Sequence, residues 1–326
     1  MAPITHTSGT HPIEPLGRNL VVRGEGTTSL FAVEAPDLFE RNARMRENPP
    51  AHCNSAPGTR PIWQYFALTF VLSWAAWLPR WLLSSGLLEP TPVVNTVATT
   101  GIWLGGIGPS LAAFILVLKD GGRKAGVDLA RRALQWKIGI WFLPAVLLVP
   151  ASALVSHLVN AAFGGVFPNR EIHATPWMIA PLFMVFIVLQ ASEEFGWRGY
   201  ALDRLQARSG VLVASLVVGC AWALWHLPMF VVSGFPQREA SVPYGHFAVT
   251  LVAVSVLMTW MQNGASGSLV PAFLCHASIN LTGEVLPLWS QGGSGQEDSA
   301  AWIVANGMLI VFAVAVVRWS GGDRLK

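Results

Sequence analysis

Glu193 and Glu194 are adjacent carboxylates, with Arg198 four residues beyond the second, and all three follow an apolar run, Trp177 to Leu189, that reads as a membrane helix. A carboxylate and a guanidinium four apart meet on one helix face, so Arg198 can neutralise Glu194. Glu193 is turned about 100° away and is left without a local partner. Such a carboxylate, in a poorly solvated place, is suited to accept a proton and return it near neutral pH. Ionisable groups cost about 2.5 to 3.5 kcal/mol each at the centre of a membrane helix, so they need partners and usually mark function. Taken alone, the motif also suits an ion-pair cluster that anchors a helix end.

Two more apolar runs carry polar groups. One holds Trp222-Ala223-Leu224-Trp225-His226-Leu227-Pro228, and the other holds His276-Ala277-Ser278-Ile279-Asn280. His276 and Asn280 share a helix face by the same four-residue spacing. Each alone is accounted for by packing or by hydrogen bonding between helices. Mutual satisfaction of all three in one internal cavity is the more economical arrangement. The set has the parts for peptide hydrolysis: a carboxylate base, a histidine to share a water, and neutral donors for an oxyanion. It has no nucleophile of its own, so water must be the attacking group.

Composition states where this chemistry takes place. Of 326 residues, 52% are hydrophobic and 12% charged, with 15 tryptophans, and the mean hydropathy is +0.48. Soluble domains carry roughly 25% charged residues, so the chain is expected to be an integral membrane protein. A net charge of +3 without a basic stripe gives no reason to expect nucleic acid. Cys53, Cys220 and Cys275 form neither a disulfide framework nor a CxxC zinc pair.

Residues 1–60 are rich in Pro, Gly, Thr, Glu and Arg and read as a poorly ordered tail without a signal segment, in which Met45 is a candidate alternative start. From Pro61 onward, apolar stretches of roughly 20 residues recur, each enough to cross the bilayer core as a helix. Spans are expected at about 62–83, 95–118, 138–162, 176–195, 211–232, 246–262, 268–288 and 300–319, which makes an all-α polytopic bundle of about eight spans with its site inside. The organisation is then a tail (1–60), N-terminal transmembrane helices (61–175), a catalytic transmembrane core (176–290) and a final helix with a cytoplasmic tail (291–326). Lys119, Arg123, Lys124, Arg131, Arg132 and Lys137, then Arg198, Arg204 and Arg208, then Arg318, Arg324 and Lys326 fall on one side. By the positive-inside rule both termini are cytoplasmic, and the inner or plasma membrane is the expected location. No internal repeat of the kind built into many transporters is apparent.

Glu193-Glu194-x-x-x-Arg198, an aromatic four residues before a histidine (Trp222 to His226), and His276-x-x-x-Asn280 resemble the CPBP family. That family takes in CAAX prenyl protease 2 and the bacteriocin-processing or self-immunity (Abi) intramembrane proteases. The similarity covers about residues 176 to 285, and the following Gly199-Tyr200 and Ser268-Leu269-Val270-Pro271-Ala272 agree with it. The family pattern usually has phenylalanine where this chain has Trp222, a conservative departure. The resemblance implies an endopeptidase acting on a membrane-associated protein or peptide, either a CAAX-type tail or a peptide precursor. In it Glu193 is the general base on water, His226 assists, His276 and Asn280 stabilise the oxyanion, and Arg198 holds Glu194. Some members are described as metalloproteases, so zinc on Glu193, His226 and His276 is the alternative to a cofactor-free reaction. A non-enzymatic scaffold or transporter is the rival from another class. Gly264-Ala265-Ser266-Gly267 matches the GxSG motif of rhomboid serine proteases, but the last span carries no histidine to serve it.

One geometric problem remains in the sequence. A helix starting at Val211 puts His226 roughly 22 Å deep, whereas Glu193 near the end of its span would be shallow. Either residues 198–210 dip into the membrane, or the helix continues past Arg198 and the glutamates lie nearer mid-depth. Both solutions require a cavity that admits water.

Overall fold

A backbone in hydrocarbon must satisfy its own polar groups, and runs of apolar residues therefore fold as helices. The computed structural model describes residues 62–164, 176–239, 243–286, 299–321 and 325, and among these every regular element is helical, as expected. The expected tail, with Met45 and Cys53, lies outside the described residues.

The main helices are α1 (Trp63–Ser84), α2 (Pro92–Gly106), α3 (Gly108–Arg131), α4 (Phe142–Ala162), α5 (Pro176–Gly196), α6 (Asp203–Ser209) and α7 (Val211–Trp225). They are followed by the short α8 (Pro228–Val231) and α9 (Pro236–Glu239), then α10 (Tyr244–Gly264), α11 (Val270–Val285) and α12 (Ser299–Ser320). Six helices are long and apolar enough to cross a membrane, and α2 with α3 forms a further, broken span bent by 54°. The chain is a multi-pass integral membrane protein. The expected seventh span shrinks to α11, whose 16 residues reach roughly 24 Å, and it survives because it is wrapped by protein. It packs against α4 and α5 and is buried from Val270 through Ser278.

The depth problem has the second of its two solutions. Residues 177–209 form one helix of 33 residues, in which Trp197–Leu202 is a π-helical turn joining α5 to α6. Glu193 then sits roughly 24 Å along the helix from Trp177, and His226 roughly 22 Å along α7 from Val211. The extra residue of a π turn is a feature often found at functional sites, and it leaves backbone carbonyls to be satisfied from outside the helix. Here Gln262 Nε2 donates to Arg198 O at 3.2 Å, and Arg132 donates to Gly199 O at 3.2 Å and to Gly267 O at 2.8 Å. Arg132 also pairs with Asp203. Two of the cations counted as loop charges are thus internal, Arg132 as a clamp at 7% exposure and Arg198 at 0%.

The serine of the rhomboid-like Gly264–Gly267 stretch is a turn residue. Ser266 is exposed with φ +56°, and Gly267 N–H closes the turn on Gln262 O at 2.8 Å.

Just ahead of the π turn, α5 passes α3 so closely that only glycine fits. A Cβ on Gly196 would run into the backbone of Pro109 and the hydroxyl of the fully buried Tyr65. Gly196→Ala is expected to destabilise by about 1–3 kcal/mol, as overpacking does. A lowered thermal midpoint of the detergent-purified protein, read against wild type, checks this.

Candidate active site

The polar residues singled out in sequence converge from α5, the π turn, α7 and α11. Glu194 and Arg198 are both 0% exposed, and Arg198 Nη1 donates to Glu194 Oε1 at 3.0 Å. The same oxygen meets His276 Nδ1 at 2.8 Å. Glu194 is therefore the joint between α5 and α11: Arg198 neutralises it, and it holds the imidazole ring in turn. A bond from Arg198 was expected. The one to His276 was not, because residues 82 positions apart share no sequence signal.

Glu193 faces a different neighbour, as the 100° offset requires. Its Oε2 accepts from the indole Nε1–H of Trp222 at 3.0 Å. It also lies within electrostatic reach of His276. His226 stands directly after α7, where Pro228 ends the regular helix. Its Nδ1 lies 2.8 Å from Trp222 O, and because a carbonyl only accepts, Nδ1 carries the proton. Nε2 of His226 is left as the free edge, and the ring is held edge-on by Trp222, Trp225 and Phe247. Asn280 is half-buried on α11 one turn after His276. It makes no hydrogen bond to another described residue, so its amide remains available to a ligand.

Exposure separates these groups. Glu193 is 9%, His226 7% and His276 5% exposed, against zero for Glu194 and Arg198. The three groups expected to act in the reaction retain slight exposure, and the two expected to support them are sealed. Trp222 is the residue sequence reasoning undervalued. Besides bonding Glu193 it lies under Arg198, 4.3 Å from guanidinium carbon to ring centre, and against His276 at 4.9 Å. Its position four residues before His226 was the only available signal.

Among the described residues, no three His, Cys, Asp or Glu side chains are arranged to hold a metal ion.

Fold and site together define a polytopic all-α membrane protein with a buried cluster of carboxylates, guanidinium and imidazoles. Residues 175–282 match the family model described as Type II CAAX prenyl endopeptidase Rce1-like. Over 264 residues the chain is 28% identical to the CAAX prenyl protease 2 of Methanococcus maripaludis, taking in 78% of this chain and 92% of that protein. On these findings the chain is similar to the CAAX prenyl endopeptidases, a likeness that marks it as a protease.

Removing one member of a buried ion pair leaves the other uncompensated, at a cost of about 3–5 kcal/mol. Arg198→Met is expected to destabilise on that scale, and Glu194→Gln with Arg198→Met by much less than the two singles combined. Thermal unfolding of the four proteins in one detergent measures the difference.

Proposed function

We propose that the protein is an intramembrane endopeptidase in which Glu193 activates water against a peptide bond of a membrane-associated substrate. The observation that carries this reading is the meeting of Glu193, Glu194, Arg198, His226 and His276, from separate helices, in one buried cluster. The substrate class follows the likeness to the Methanococcus protein, whose name is CAAX prenyl protease 2. A C-terminal tail lying at the membrane surface is the substrate proposed here, with a membrane-associated peptide precursor as the other form it takes in the family.

Glu193 takes one proton from water while the oxygen attacks the scissile carbonyl carbon. His226, with Nδ1–H committed to a backbone carbonyl, offers Nε2 as acceptor to the other water hydrogen and fixes the direction of attack. The carbonyl π pair moves onto oxygen. Asn280 donates to that oxyanion through its amide, and His276 through Nε2–H. Since Nδ1 of His276 already faces Glu194, this second donor makes it an imidazolium lying between two anions, the carboxylate on one edge and the oxyanion on the other. Collapse breaks the C–N bond, and the proton on Glu193 passes to the departing amine. The second water hydrogen stays on the new carboxyl group, from which His226 Nε2 can take it and pass it to solvent.

The loop charges favour cytoplasmic termini, with the open edge of the site accessible from that side, and the plasma or inner membrane as the location. A single cysteine at Lys124 should then react with an impermeant maleimide in inverted vesicles and stay unreacted in right-side-out ones.

Glu193→Gln keeps shape and hydrogen bonding but cannot take a proton. Cleavage of a quenched fluorescent peptide library by the detergent-purified protein should fall by about 10²-fold or more in Glu193→Gln. It should fall by about 10²- to 10³-fold in kcat in Asn280→Ala. A strong chelator should leave wild-type cleavage unchanged. Loss with chelator, restored by zinc, would reassign the chemistry to a metal. Full activity in Glu193→Gln would remove Glu193 as base and return the polar cluster to a structural or transport role.

A further inference from the structure

We infer that Trp222 is a positioning residue for the base, its indole N–H deciding which oxygen of Glu193 receives the proton of water. The inference rests on the assignment of Glu193 as base. An indole N–H only donates, so its bond to Glu193 Oε2 keeps one polarity whether the carboxyl is ionised or protonated. With Oε2 occupied, the incoming proton goes to Oε1 and the plane of the carboxyl is fixed throughout the cycle.

The indole is itself immobile. Trp222 is 0% exposed, with the Arg198 guanidinium over its ring and His276 against it. Its backbone carbonyl is the acceptor that sets the His226 tautomer. A single residue therefore aims the base with its side chain and the assisting histidine with its main chain. The pairing is not automatic for a buried tryptophan in this protein. Trp197 and Trp225 are equally sealed, and their indole N–H groups have no partner among the described residues. Phenylalanine at this position fills similar space without a donor. With tryptophan here, one charge-assisted hydrogen bond reaches Glu193 that a phenylalanine could not make.

The test is a kinetic cycle on the full-length protein in detergent, with Trp222→Phe made in the wild type and in Glu193→Asp. Aspartate is shorter by one methylene and withdraws its oxygens from the indole. Trp222→Phe is expected to lower kcat by about ten- to a hundredfold at little change in KM in the wild type. In Glu193→Asp it should change kcat by less than about twofold, because the bond is already gone. Damage to packing would act alike in both backgrounds, so equal losses would overturn the inference, as would an unchanged kcat in the first. Should Trp222→Phe not fold, benzothienylalanine at position 222, with sulfur replacing N–H in the same ring outline, gives the same two comparisons. Glu193→Gln assayed alongside keeps the two claims apart. Full activity there sinks the base, whereas an inactive Glu193→Gln beside an unimpaired Trp222→Phe sinks only the role of the indole.

Discussion

An ionised side chain sealed from water must find its counter-charge inside the protein, and the bond from Arg198 to Glu194 is where this molecule meets that requirement. Much else follows from it. The pair is local to one helix, so it can form as that helix forms. Its second acceptor contact, to His276, then draws α11 against α5 and sets the orientation of a ring that no local sequence could orient. Arg198 also lies over Trp222 and so brings α7 into the same contact. Three helices are registered against one another by a single guanidinium and the carboxylate it neutralises.

Adjacent glutamates can take unlike roles because successive helical residues point about 100° apart. Glu194 looks inward to two positive or polarisable partners and has no exposure. Glu193 looks toward Trp222 and retains an open edge. Two identical groups placed in different surroundings are thereby set apart, one sealed with two partners and the other suited to the proton exchange proposed for it, a division by environment that recurs in acid and base catalysis.

The four-residue spacings carried much of the site into view from sequence alone, because they are local geometry. Glu194 with Arg198, Trp222 with His226, and His276 with Asn280 are each one helical turn. The bonds that cross between helices were invisible for the same reason. Nothing in the chain joins Glu194 to His276, or Glu193 to the nitrogen of Trp222, until packing brings the helices together. Span counting located each stretch but not its form. It relies on length and apolarity, which describe contact with lipid, whereas α11 is short and touches mostly protein, and the α2 and α3 pair is broken near Ile107. Arg132 was misread because its type says loop charge, and only the tertiary structure shows the carbonyls and Asp203 that it clamps.

The π turn explains why the helix bearing the glutamates can serve both the site and the membrane. A regular helix through Trp197–Leu202 would satisfy its own carbonyls and offer nothing to neighbours. The wider turn frees the carbonyls of Arg198 and Gly199, and donors from outside the helix, Gln262 on α10 and Arg132 beyond α3, take them up. The segment behind the ion pair is therefore tied to two other parts of the bundle at the level of the main chain. Side-chain rotamers can change in a catalytic cycle, but carbonyls held from outside move only with the backbone. On the proposed assignment of Glu193 as base, a backbone tied directly beyond Glu193 and Glu194 lets one indole hydrogen bond suffice, since the carboxyl then needs restraint only about its own torsions and not against motion of the helix that carries it.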